Sequence, residues 1–69
     1  MTKSGTIALL SGIFGFISPD DGTADVWFKM SAIIGDSFLR VGDTVTFTPY
    51  DHNGKPRARD VRLVRVAVV

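Results

Sequence analysis

The sequence predicts an all-β domain, a small five-stranded antiparallel barrel. Three observations carry that expectation. Several short segments alternate apolar and polar residues at period two, the spacing of a strand with one buried face. Clusters of Gly, Pro, Asn and Asp punctuate them at short intervals. No segment has the length and periodicity of a stable helix. At 69 residues the chain has room for one core and one domain, 1–69, with 64–69 standing out as an apolar C-terminal extension.

In chain order, Lys3 to Leu10 is rich in apolar and β-branched residues and reads as the first strand, with Gly5 at a bend or bulge. Ser11-Gly12 is a short turn, and Ile13 to Ser18 is the second strand. Pro19-Asp20-Asp21-Gly22 has strong turn chemistry: proline presets φ, aspartates bond nearby backbone, and glycine tolerates positive φ. Ala24 to Met30 is the third strand. Ser31 to Ile34 suffices for a single helical turn, and Gly35 to Gly42 is a loop holding Phe38. Thr44 to Tyr50 alternates cleanly, Val45 and Phe47 against Thr44, Thr46 and Thr48, and Pro49 marks an edge or strand end. An Asn53-Gly54 turn precedes a fifth strand from Arg57 onward. A closed ring of strands removes the exposed edges on which small sheets aggregate. From pattern alone an SH3-like barrel fits almost as well as an OB-fold.

The stretch from Gly12 to Met30 organises the rest. Phe14 and Phe16 share one face of the second strand; Ile13, Gly15 and Ile17 share the other. On the third strand Trp27 and Lys29 lie opposite Val26 and Phe28. A small sheet buries one face in one core, so one aromatic set must meet solvent. Ile13 and Ile17 are the better core candidates, which leaves Phe14, Phe16 and Trp27 outside. Aromatics left in water are suited to stacking on nucleobases.

The net charge of +1 gives no large field for binding duplex DNA by counterion release. Arg57, Arg59, Arg62 and Arg65 nevertheless gather in the last strand, while Asp20, Asp21 and Asp25 cluster at the central turn. Arg57 and Arg59 share a parity that suits a phosphate track; Arg62 has the opposite parity and joins them only across a bulge. Turn formation explains the aspartates, and His52 has no partner at metal or catalytic spacing. No cofactor, metal site or enzymatic activity is expected. The absence of cysteine fits a reducing cytoplasm, and no apolar run suggests an export peptide or a membrane helix.

FGFISPDDG followed by DVWFKMSAI resembles the two RNP-like motifs of the bacterial cold shock domain. That family reads close to KGFGFI-x-P-x-x-G and then D-V-F-V-H-F-S-A-I. The resemblance continues through Gly35-Asp36-Ser37-Phe38, VGDTVTF and NGKPRARDVRL, and so covers nearly the whole chain in order. It implies a five-stranded OB-fold barrel that binds single-stranded RNA or DNA without catalysis, as an RNA chaperone or regulator of transcription and translation. Phe14 and Phe16 match two stacking aromatics, Trp27 stands where the family has Phe, and Phe38 matches the aromatic of the long loop. Lys29 replaces the usual His with a point charge, and Arg57 and Arg59 enter the last strand beside the groove.

The first strand departs from that pattern: Ala8-Leu9-Leu10-Ser11 replaces Lys-Trp-Phe-Asn, and Met30 replaces a further Phe. Each missing stack removes about 1–3 kcal/mol of binding. A depleted aromatic face also suits a rival reading, a cold-shock-like domain that docks a protein partner. Val64 to Val69 is apolar, β-branched and long for a completed barrel, which points to a homodimer through this strand, with a terminus folded over the barrel bottom as the alternative.

Overall fold

Alternation along Phe14–Pro19, Val26–Lys29 and the first half of Thr44–His52 becomes alternation of burial in the computed structural model, which describes residues 1–35 and 38–67. The strands are β1 (Lys3–Leu10), β2 (Phe14–Pro19), β3 (Val26–Lys29), β4 (Thr44–His52) and β5 (Lys55–Arg65), with a single 3-10 turn at Met30–Ala32. Their inward sets meet as one core: Ile7 from β1, Ile17 from β2, Val26 and Phe28 from β3, Val45 and Phe47 from β4, Ala58 and Val61 from β5. Leu39 closes it from the loop. Ile17 and Phe28 are fully enclosed, as the parity of β2 and β3 predicted, and Val45, Phe47 and Val61 are enclosed with them. Ile13 is not: it precedes β2 and is 76% exposed, because the strand begins one residue later than expected.

Pairing follows the order β1-β2-β3-β5-β4 and returns to β1. Four of its pairings, β1 with β2, β1 with β4, β2 with β3 and β4 with β5, are antiparallel ladders. The pairing between β3 and β5 is parallel and consists of one register pair, Trp27 with Arg57. This corrects the expected antiparallel barrel. The domain is a five-stranded sheet curled into an OB-like ring, not a barrel closed by continuous antiparallel ladders. The seam is thin because β3 has only four residues and meets β5 running in the same direction.

Local chemistry explains the corners. Asn53 and Gly54 both have positive φ, 52° and 80°, and form the two-residue turn between His52 and Lys55. Pro49 falls beyond Phe47, where the β1 ladder has ended, so its missing N–H costs no bond on that side. Gly5 is explained by close packing, not by a bulge. A Cβ there would lie 2.6 Å from Ile17 Cγ2, and the register of β1 shifts instead between Ile7 and Leu9.

The buried Asp43 organises the lower end of the sheet. Its Oδ2 accepts from the Arg40 N–H at 2.8 Å and its Oδ1 from the Ala67 N–H at 2.8 Å. Its main chain also accepts from Ile7 N at 2.9 Å. The chain after β5 is thereby held against the segment before β4.

Candidate functional site

The outward parity of β2 and β3 leaves Phe14, Phe16 and Trp27 half-buried and Lys29 exposed. Antiparallel register sets Phe14 opposite Lys29 and Phe16 opposite Trp27. Directly opposed residues share a sheet face, so these four side chains form one surface. Phe14 and Trp27 lie nearly parallel, 19° apart with centroids 6.3 Å distant. Phe14 meets Phe16 edge-on, with centroids 5.9 Å apart. The inward residue between the phenylalanines is Gly15, and only glycine fits there: an added Cβ would come within 2.7 Å of Phe28 Cζ. Phe28 thus packs directly against the strand segment that carries the two half-buried rings.

The parallel seam brings the last strand to this surface. Trp27 pairs with Arg57, and the guanidinium carbon of Arg57 lies 4.3 Å from the indole centroid, within range of a cation–π contact. Arg57 in turn opposes Tyr50 on β4, and Leu9 on β1 opposes Phe16. One transverse row, Leu9–Phe16–Trp27–Arg57–Tyr50, therefore crosses all five strands. Its β1 end is aliphatic; its β5–β4 end is cationic and phenolic. A groove of about 430 Å³ lies along it, lined by Phe16, Asp25, Trp27, Lys55, Pro56 and Arg57.

Arg59 stands one pair further along, opposite Thr48, with its guanidinium 5.9 Å from the Tyr50 ring. Phe38 is 93% exposed in the loop before β4, so it does not cap the end of the ring. Residues 36 and 37, within the matched stretch Gly35–Phe38, lie outside the described residues. Tyr50, Lys55 and Asp25 were not singled out in the sequence as binding residues. The alternation of TVTFTPY could have nominated Tyr50, but only the β4–β5 register places it beside Arg57.

The acidic turn supports the surface without forming a reaction centre. Asp21 accepts from the Thr23 hydroxyl at 2.6 Å, from the Thr23 N–H at 3.0 Å and from Lys3 Nζ at 2.9 Å. These bonds, those from Thr23 first, hold its carboxyl well below the usual aspartate range. The described residues contain no group of three His, Cys, Asp or Glu able to hold a metal ion. No described helix is long and apolar enough to cross a membrane.

The 'Cold-shock' DNA-binding domain family matches residues 3–64. The chain belongs to that family. It is 42% identical over 53 residues to the Cold shock-like protein CspC of Escherichia coli strain K12, covering 74% of this chain and 77% of that protein. The same identity and coverage hold for the CspC of Salmonella typhi. Among solved structures, drosophila Unr CSD456 superposes with a TM-score of 0.86 at 23% identity. That likeness concerns the fold; it covers all of this chain and 29% of the other, so the chain spans less than a third of that structure.

Proposed function

We propose that this cold-shock domain binds single-stranded RNA or DNA by stacking bases on Phe14, Phe16 and Trp27. Lys29, Arg57 and Arg59 meet phosphates, and Phe38 reaches a further base from the loop. The observation that carries this reading is the cluster of three half-buried rings on the outer face, with the Arg57 guanidinium against one of them. Partly exposed aromatics beside cations are what sequence-tolerant strand binding requires. The name of the matching family supports the nucleic-acid part of this reading; the cellular role proposed with it is cytoplasmic RNA chaperoning or control of gene expression.

Trp27 is the sole tryptophan, so its fluorescence reports on this surface alone. Titration with short single-stranded oligonucleotides is expected to quench it saturably, with an affinity that falls as salt rises. An unquenched Trp27, together with no shift in an electrophoretic mobility assay, would overturn the reading and favour a protein-docking face.

Self-association through 64–69 is a second reading, supported by the open side of β5. Past the Ile33–Val61 bridge, among the described residues, that strand is paired only with β4, and Val64 and Val66 are 60% and 58% exposed. β5 ends at Arg65, and residues 68 and 69 lie outside the described residues. A sedimentation mass that stays monomeric as concentration rises would remove this reading.

A further inference from the structure

Beyond the aromatic cluster, the outer face of β4 and β5 carries four cross-strand pairs: Tyr50 with Arg57, Thr48 with Arg59, Thr46 with Arg62, and Thr44 with Arg65. Each pair sets a guanidinium beside a hydroxyl. The arginines are exposed apart from the half-buried Arg57, and their hydroxyl partners are half-buried beneath them.

Simple alternation along β5 would not produce this. Ala58 and Val61 both face the core although they are three residues apart, so one residue between them must be extra. That residue is Asp60, at φ 52°, where the register slips between Thr46 and Thr48. The bulge turns Arg62 to the same side as Arg57 and Arg59. A second slip, between Thr44 and Val45, sets Arg65 opposite Thr44 while the half-buried Leu63 opposes Val45.

Among the described residues no acidic side chain forms an ion pair with these arginines. Among the described residues the one ion pair joins Lys3 to Asp21, on a different part of the sheet. Arginine and hydroxyl side chains donate together to phosphate oxygens, and such bonds position a strand without reading its sequence. The track also begins inside the candidate site, because Arg57 belongs both to it and to the transverse row. At the other end of that row β1 offers Leu9, and the cation of that strand, Lys3, is paired with Asp21.

We propose that the β4–β5 face, from Tyr50 and Arg57 to Thr44 and Arg65, is a phosphate track that carries the continuation of a bound single strand. The proposal rests on the nucleic-acid reading above and gives the strand a direction, away from the aliphatic β1 side and onto the last hairpin. Arg62 and Arg65 are its assigned phosphate ligands, with Thr46 and Thr44 as co-donors.

The test compares the wild type with an R62Q/R65Q variant, using oligothymidylates of about four and about twelve nucleotides, within the range of OB-type site sizes. Glutamine keeps most of the side-chain length, and unchanged circular dichroism and denaturation midpoint establish that the variant folds. The short oligonucleotide is expected to bind both proteins equally. For the long one, the slope of log K against log salt is expected to become shallower by roughly 1.4, about 0.7 for each phosphate that is no longer neutralised. Equal affinity and slope for the long oligonucleotide, with the short one still quenching Trp27, would overturn the track and leave the stacking reading intact. Long-oligonucleotide binding that survives Trp27→Ala but is abolished in R62Q/R65Q would support the track and overturn the stacking. No binding of either oligonucleotide to the wild type would overturn both.

Discussion

The Arg57 guanidinium carbon lies 4.3 Å from the Trp27 ring centroid, at the single point where β3 and β5 pair. One interaction thus serves the fold and the candidate site together. It bridges the thinnest seam of the ring and sets a cation against the largest aromatic of the outer face. Arg57→Ala is expected to cost about 0.5–1 kcal/mol of stability, the range of a partly exposed cation–π interaction, and to shift the emission of Trp27 in the free protein. Trp27→Ala is expected to weaken oligonucleotide binding roughly 5- to 150-fold, equivalent to about 1–3 kcal/mol for one stack. Chemical denaturation and mobility-shift titration read the two effects separately.

Gly15 is where core packing constrains the surface. Gly15→Ala puts a methyl 2.7 Å from both Phe28 Cζ and the Leu9 carbonyl oxygen. The expected loss is about 1–3 kcal/mol, as for other overpacked cores. Gly12→Ala, whose added Cβ meets nothing within 4 Å, should change stability by no more than about 0.5 kcal/mol. Equal urea midpoints for the two variants would show that Phe28 moves aside freely.

Asp43 satisfies two main-chain donors, the nearby Arg40 N and the Ala67 N of the C-terminal segment. Asp43→Ala leaves both without their acceptor, at an expected cost of about 2–4 kcal/mol. Hydrogen exchange should show faster exchange of the Ala67 amide beyond what the global destabilisation explains. Protection of that amide equal to wild type would mean that the C-terminal segment is held by other interactions.

The Asp21 carboxylate gives the β2–β3 turn a pH dependence of definite sign. Its folded pKa is depressed from an ordinary value near 3.8, so its contribution is present above that value and lost as pH falls below it. Asp21→Asn should therefore be less stable than wild type near neutral pH, by a small amount because the group is exposed. The gap should close progressively below about pH 4. A gap that stays constant through acid titration would assign the effect to turn geometry and not to the ionised carboxyl.

Period-two alternation and turn residues alone determined the approximate strands, the split of Ile17, Val26 and Phe28 from Phe14, Phe16 and Trp27, and the shared face of Val45 and Phe47. Both are local properties: side chains alternate across any strand, and Asn53-Gly54 selects its own turn. Ile13 was misplaced because parity does not say where a strand begins. The ordered RNP-like motifs made the family legible as well. Register and strand adjacency were different, because they depend on which segments meet across the ring. Only the tertiary structure made the β3–β5 seam parallel and one pair wide, where an antiparallel barrel was expected. It alone set Arg57 against Trp27 and Tyr50, and it alone inserted Asp60 as the extra residue that turns Arg62 outward. A bulge of one residue reverses the facing of every side chain beyond it, and nothing in the alternation of RARDVRLVR says where the partner strand will force that slip.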